Sequence, residues 1–253
     1  MITQINPTYN SIKSQIENSI LHFNATGTFI SNGKRNKIKY FESEGIKYAI
    51  KSFKKPNFIN RIIYKYFRKS KAKRSFEYAN LLIQNEIGTP KPIAFYENTS
   101  IFGLKDSYYV CEHLECDLTY RELVETDYPD AENILRQFTR FTYEMHKKGI
   151  EFLDHSPGNT LIIKELDYIY SFYLVDLNRM KFHKKIAIDV AIKNFSRLTP
   201  KKEMVAIMSN EYSKLSNIPE AFLFEKMWKL TAEFQYQYFR KKRIKKRLKF
   251  WKK

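Results

Sequence analysis

The sequence predicts an α+β chain of two lobes, a small antiparallel β-rich lobe with one helix followed by a larger, mainly helical lobe. Three observations carry that expectation. Short alternating segments separated by turn signals fill the stretch before Cys111. Apolar residues recur at helical spacing after Pro129 and again from about Ile186 onward. A single short strand pair, Thr160–Ile163 and Phe172–Val175, interrupts the later helical pattern. The implied division is an N-lobe over residues 1–112 and a C-lobe over residues 113–253.

Taken in order, Asn10-Ser11 reads as a helix N-cap, with Ile12, Ile16, Ile20 and Phe23 following on one face. Thr26 to Ile30 leads into Asn32-Gly33, a strong hairpin signal, and Lys37 to Phe41 resumes after it. The turn Ser43-Glu44-Gly45 then introduces Lys47 to Phe53, completing a three-stranded meander. A helix follows from Ser70 to about Asn85, with Phe76, Ala79, Leu82 and Ile83 on its apolar face and a stop at Gly88-Thr89-Pro90. Pro92–Tyr96 and Ser107–Cys111 read as two further strands. The helix after Pro129 carries Ile134, Phe138, Phe141 and Met145, and Gly149 terminates it.

Hydrophobic residues make up 43% of the chain and glycine and proline are few, which excludes a disordered or collagen-like polymer. Two cysteines, Cys111 and Cys116, are too few for a disulfide framework or a cysteine-rich zinc site, and they read as packing residues. The first residues show no secretory pattern and no apolar run approaches the length of a membrane span, so a cytoplasmic protein is expected. The formal charge is +18, and its distribution is uneven. Nine basic residues and no acidic one lie between Lys54 and Arg74, and ten more lie between Arg240 and Lys253. The remaining 218 residues carry 26 basic against 27 acidic side chains, so the body is neutral and two patches face an anionic partner.

Five residues fall where phosphoryl transfer from ATP needs them. Lys51, in Tyr48-Ala49-Ile50-Lys51, sits late in the third strand like the V-A-I-K lysine of protein kinases, where an ammonium neutralises the α- and β-phosphates. Glu77, mid-helix in the next segment, is positioned to pair with it. Read singly, Lys51 is equally a surface lysine and Glu77 a solvated helix residue. Asp154 and Asn159 stand five apart in a Pro-Gly loop before an apolar strand, the D-x-x-x-x-N spacing of a kinase catalytic loop. In that loop the aspartate accepts the acceptor's proton and the asparagine binds Mg²⁺. Asp176 follows a strand, as the carboxylate that chelates the metal bridging the β- and γ-phosphates does; alone it reads as a turn residue.

With these residues in that order, the chain resembles the lipopolysaccharide kinase family, the Kdo and heptose kinases related to protein kinases. The segments that carry the resemblance are Asp176-Leu177-Asn178-Arg179, Ser156-Pro157-Gly158-Asn159 and the basic stretch Lys51 to Ala79. It covers roughly Gly27 to Asp189. It implies a protein-kinase-like bilobal fold that uses ATP and Mg²⁺ to phosphorylate an inner-core sugar, Kdo above all. It assigns Lys51, Glu77 and Asp154 to catalysis and Asn159 and Asp176 to the metal. Gly27 then belongs to the loop covering the nucleotide, and Glu112, His113 and Leu114 to the hinge that presents backbone groups to adenine.

The chain departs from the kinase pattern in places. The H-R-D motif reads Phe152-Leu153-Asp154, which argues against activation-loop phosphorylation. Only Gly27 and Gly33 stand in the nucleotide loop, where Lys34, Arg35 and Lys37 offer compensating charge, and no A-P-E-like segment follows Asp176. His113 and His155 read as polar loop groups, with His155 alternatively lining an acceptor pocket. In the tail from Tyr238 to Lys253, Phe239, Ile244, Leu248 and Trp251 share a rough helical face among the charges. That is the composition of a helix lying on an anionic membrane, which would hold the enzyme peripherally at the inner face of the cell membrane near a lipid-linked sugar. A disordered basic tail is the alternative; nucleic acid is disfavoured by the lack of any recognition motif. Two other functions stay open: a kinase for another small-molecule or glycan acceptor, and a non-catalytic kinase-like protein that binds a membrane or partner.

Overall fold

The computed structural model describes residues 2–33, 36–57, 61–64 and 67–250. Lys34, Arg35, Lys65 and Trp251 to Lys253, used above, lie outside them. The fold is mixed α and β with an antiparallel sheet, and the chain divides into two compact units. One comprises Met1–Glu115 with Leu174–Arg179; the other comprises Cys116–Tyr173 with Met180–Lys253.

The first unit is built on a six-stranded sheet. Strands β1 (Ile2–Ile5), β2 (Thr28–Asn32), β3 (Asn36–Ser43), β4 (Ile46–Phe53), β5 (Pro92–Ser100) and β6 (Gly103–Glu112) are ordered β1-β5-β6-β4-β3-β2, each pair antiparallel. The expected meander is β2-β3-β4, its register fixed by pairs such as Phe41↔Tyr48. Strand β1, which pairs Ile2↔Glu97 through Ile5↔Ala94, lacked a readable period in four residues.

The sheet is covered on both faces, by the helix near the N-terminus and by the helix that carries Glu77. Helix α1 (Lys13–Leu21) places Ile16 and Ile20, with Ile12 before it and Phe23 after it, against Tyr48, Ile50, Tyr96 and Val110. It is entered through a 3-10 turn, Pro7–Ile12, capped by Asn6 rather than by Asn10. Helix α2 (Lys71–Gln84) starts at Ser70, whose hydroxyl accepts from the Lys73 amide. It stacks Phe76 on Phe95, a residue of the opposite face of β5 because strand side chains alternate. Ile83 is 42% exposed, outside the buried face expected for it. By the same alternation Lys51 leaves β4 on the α2 side, where Phe53 lies beneath its ammonium at 5.4 Å.

The second unit is mainly helical. Helix α3 (Tyr120–Glu125) opens with a reciprocal capping box between Thr119 and Glu122. Helix α4 (Ala131–Lys147) buries Ile134, Phe138 and Met145, and ends as Gly149 takes φ +78°. A side chain at Gly149 would fall on the His183 carbonyl, so glycine lets the chain turn directly into β8 (Ile150–Phe152), which pairs with β11 (Met180–Phe182). Strand β7 (Leu118–Thr119) pairs with β9 (Thr160–Leu166), and β9 with β10 (Ile169–Leu174). Helices α5 (Ile188–Phe195), α6 (Lys202–Ser216) and α7 (Glu220–Phe250) complete it. Their core residues Phe195, Met208 and Met227 join Tyr120, Phe138, Ile162 and Phe172 in one apolar cluster.

Candidate active site

In the first unit the central relationship is an ion pair. Lys51 sits between Ile38 of β3 and Tyr109 of β6, and its Nζ lies 2.7 Å from Asp176 Oδ1. The lysine side chain is 11% exposed and the carboxylate 32%, so water competes little for the ammonium. The segment bearing Asp176 is anchored from behind: the Leu174 amide donates to the Gly88 carbonyl, and the Thr89 hydroxyl donates to the Leu174 carbonyl. Asp176 itself has φ +62°, a left-handed conformation that aspartate tolerates better than most residues. Its Oδ1 also accepts from Asn178 Nδ2, while the Asn178 carbonyl accepts from Arg74 Nη1 at 2.8 Å. Burial lowers the pKa of Arg74, with the nearby Arg68 charge adding to the effect.

Glu77 is not the partner of Lys51. Its carboxylate lies 2.9 Å from the Nζ of Lys69, a residue just before the helix. Arg74 is the residue of α2 that reaches the Asp176 segment. The strand position of Lys51 was visible in the sequence; Arg74 and Asn178 were hidden among nine basic residues and a turn.

Gly27 has φ +79°, and a side chain there would strike the Phe41 ring, so its glycine character serves packing whatever else it does. The Glu112 amide donates to the Lys91 carbonyl and the His113 amide to the Lys47 carbonyl, both at 2.9 Å. Leu114 follows them. Glu112 accepts from the Tyr9 hydroxyl at 2.6 Å, and the His113 ring meets Tyr40 edge-on. Burial pushes the half-buried Cys111 thiol up to about 12, although Lys51 opposes it, which leaves the thiol unreactive at neutral pH. Cys116 is exposed and is no packing residue.

In the second unit, Asp154 and Asn159 belong to one loop between β8 and β9. Asn159 Nδ2 donates to the Asp154 carbonyl at 2.8 Å, which closes the loop on itself. Arg197, from the segment after α5, donates through Nη1 to the Leu153 carbonyl at 3.0 Å and lies 3.2 Å from Asp154 Oδ1. Its guanidinium rests over the Phe234 ring. Gly158 makes room for Arg121, whose Nη2 would stand 2.6 Å from any Cβ there. Neither arginine has a local sequence signal pointing to the loop.

The loop is held from below by buried polar groups. Asn194 Nδ2 donates to the Phe152 carbonyl at 2.7 Å, so its Oδ1 is the acceptor for His146 Nε2 at 3.1 Å. The other ring nitrogen, Nδ1, then accepts from Tyr212, 3.2 Å away. Burial lowers His146 to about 4. His155 is no loop-surface group: it is 1% exposed, packs on Phe138 and Phe152, and is lowered to about 3 by burial and then by His146. That burial also removes it as a lining of an acceptor pocket.

No group of three or more His, Cys, Asp or Glu side chains forms a metal cage among the described residues. Mg²⁺ bound with nucleotide needs only one or two protein oxygens, the rest being phosphate and water. Within the first unit the Asp176 carboxylate is an oxygen donor of that kind, and within the second the Asn159 amide oxygen is another.

No protein-family model matches the chain, and no curated protein matches it in sequence. Among solved structures it is similar to one described as WaaP in complex with acyl carrier protein, with a TM-score of 0.64 at 13% identity. The match covers 94% of this chain and 98% of that one. At that identity the likeness establishes the fold alone.

Proposed function

We propose that the chain is an ATP-dependent phosphotransferase acting on a sugar hydroxyl of the lipopolysaccharide inner core, with Kdo as the acceptor, at the inner face of the cell membrane. The observation that carries this reading is Lys51 Nζ at 2.7 Å from Asp176 Oδ1 on a WaaP-like fold. A strand-held ammonium neutralises the α- and β-phosphates, and Asp176 and Asn159 serve as oxygen ligands to Mg²⁺. Mg²⁺ held by these residues would offset the charge that develops on the phosphates. Asp154 orients the acceptor hydroxyl and takes its proton as the new O–P bond forms and the β–γ bridge breaks. With the Glu112 and His113 amides already committed, Leu114 supplies the backbone donor to adenine, and Gly27 lies in the loop over the phosphates.

The end of α7 supports the membrane part of the reading. Tyr238, Phe239, Ile244 and Leu248 are exposed among basic residues, the mixture expected of a helix on an anionic surface. No helix among the described residues is long and apolar enough to cross a membrane. The comparison also makes acyl carrier protein a partner to test by pull-down.

One observation favours a second reading, a non-catalytic kinase-like protein: Arg197 pairs with the carboxylate assigned as the base. Thermal melting with ATP and Mg²⁺ separates the two. A metal-dependent rise in melting temperature is expected for the enzyme, and an unchanged transition supports the scaffold.

A further inference from the structure

The basic stretch from Lys54 to Arg74 is hardly used by the site above, where only Arg74 takes part. Arg61 has a different neighbour, the turn that joins β5 to β6. Arg61 Nε donates to the Leu104 carbonyl at 3.2 Å, and Arg61 Nη2 to Ser100 Oγ at 3.4 Å. Gly103 takes φ +106°, and any side chain there would fall on the Arg61 carbonyl, so the short helical turn 61–64 and the hairpin turn pack as one substructure.

This substructure presents large apolar side chains to water. Ile101 is 80% exposed, Phe102 58% and Phe67 83%, with Ile62 and Ile63 each at 37%. They are neighbours by bonding: Arg61 fixes the turn, and the Phe67 and Arg68 amides both donate to the Ile63 carbonyl. Around them stand exposed cations. Lys54 and Lys55 continue β4 past Phe53, whose ladder partner Ser107 is two residues from the exposed Lys105, while the exposed Arg68 follows Phe67. Contiguous exposed apolar residues mark an interaction surface, and a cationic border names the sign of what it meets.

We propose that the β5–β6 turn, together with Arg61–Tyr64, Phe67 and Arg68, is a docking surface for an anionic lipid bilayer, with Ile101 and Phe102 entering between the headgroups. A bilayer suits it better than an acidic protein because the apolar residues sit at a projecting turn rather than in a groove. A fluid interface accepts a projection, whereas a folded partner must supply a matching pocket. The surface goes beyond the phosphotransferase reading and stands without it, since no residue of the proposed chemistry is involved.

The test uses the full chain without nucleotide, sedimented with phosphatidylcholine vesicles with and without phosphatidylglycerol. The wild type is expected to bind only the anionic vesicles. The double variant I101S/F102S, changed at exposed positions, is expected to keep its melting temperature and lose about tenfold or more in vesicle affinity. Phe102→Trp is expected to add a blue-shifted emission component on vesicle addition beyond any change shown by the native Trp228 and Trp251 of the wild type. Wild-type indifference to phosphatidylglycerol overturns the proposal, as does unchanged affinity of I101S/F102S or an indole emission from Phe102→Trp that ignores vesicles. Loss of binding to an acidic protein, with vesicle binding intact, overturns it in favour of a protein partner. Transfer activity on a soluble acceptor is measured alongside, so failure of docking is distinguishable from failure of the kinase reading.

Discussion

Lys51 and Asp176 meet at 2.7 Å although one lies mid-strand and the other beyond the second strand pair of the sequence. The contact gives the buried ammonium its counter-charge from the loop that carries the proposed metal ligand. Replacing Lys51 with Met, or Asp176 with Asn, is expected to lower kcat by roughly a thousandfold. Steady-state assays check this, with melting temperature as the control for folding. Retention of half the activity in either variant removes the pair from the chemistry.

Glu77 should behave differently. Because its carboxylate pairs with Lys69 and lies away from Lys51, Glu77→Gln is expected to keep activity within about threefold, a surface ion pair being worth little. A loss comparable with that of Lys51→Met would show that Glu77 swings onto Lys51 during turnover.

Arg197 holds the loop carbonyl and the Asp154 carboxylate with one nitrogen while stacking on Phe234. Arg197→Ala frees the carboxylate to leave its productive orientation, so kcat is expected to fall about 10- to 100-fold with the KM for ATP unchanged. Arg197→Lys, lacking the planar fork, restores only part of it. A change confined to KM for ATP would contradict a positioning role.

His146 and His155 are neutral in the folded chain, lowered by burial to about 4 and about 3. Below the ordinary histidine pKa, about 6.5, the unfolded chain takes up protons that the folded chain refuses, so stability falls as pH drops. Each contributes a loss of about 2 kcal/mol between pH 7 and pH 5. Denaturant titrations at the two pH values test it. His155→Phe, placed against Phe138 and Phe152, is expected to remove about half of that pH dependence.

What the sequence disclosed followed the range of each signal. The meander was readable because Asn32-Gly33 and the alternation in β3 and β4 are local, and the same alternation placed Lys51 inside the sheet. Ser70 marked the start of α2 and Phe76, Ala79 and Leu82 its buried face, but nothing local said which charged side chain of the helix meets a partner from a distant segment, so Glu77 was given to Lys51 and Arg74 was overlooked. Strand β1 carries no period in four residues, and its pairing with β5 is purely tertiary. Asp154 and Asn159 were legible as a spaced pair in a Pro-Gly loop. Arg197 and the Tyr212–His146–Asn194 support were not, because their contacts join segments that share no motif.

The most direct measurement is transfer of labelled γ-phosphate from ATP to purified Kdo-containing lipid acceptor, comparing wild type with Asp154→Ala. Labelled lipid is expected with the wild type in Mg²⁺, and none above background with Asp154→Ala at equal melting temperature. Equal labelling by the variant, or no labelling by a folded wild type that binds ATP, would contradict phosphorylation of that sugar by Asp154.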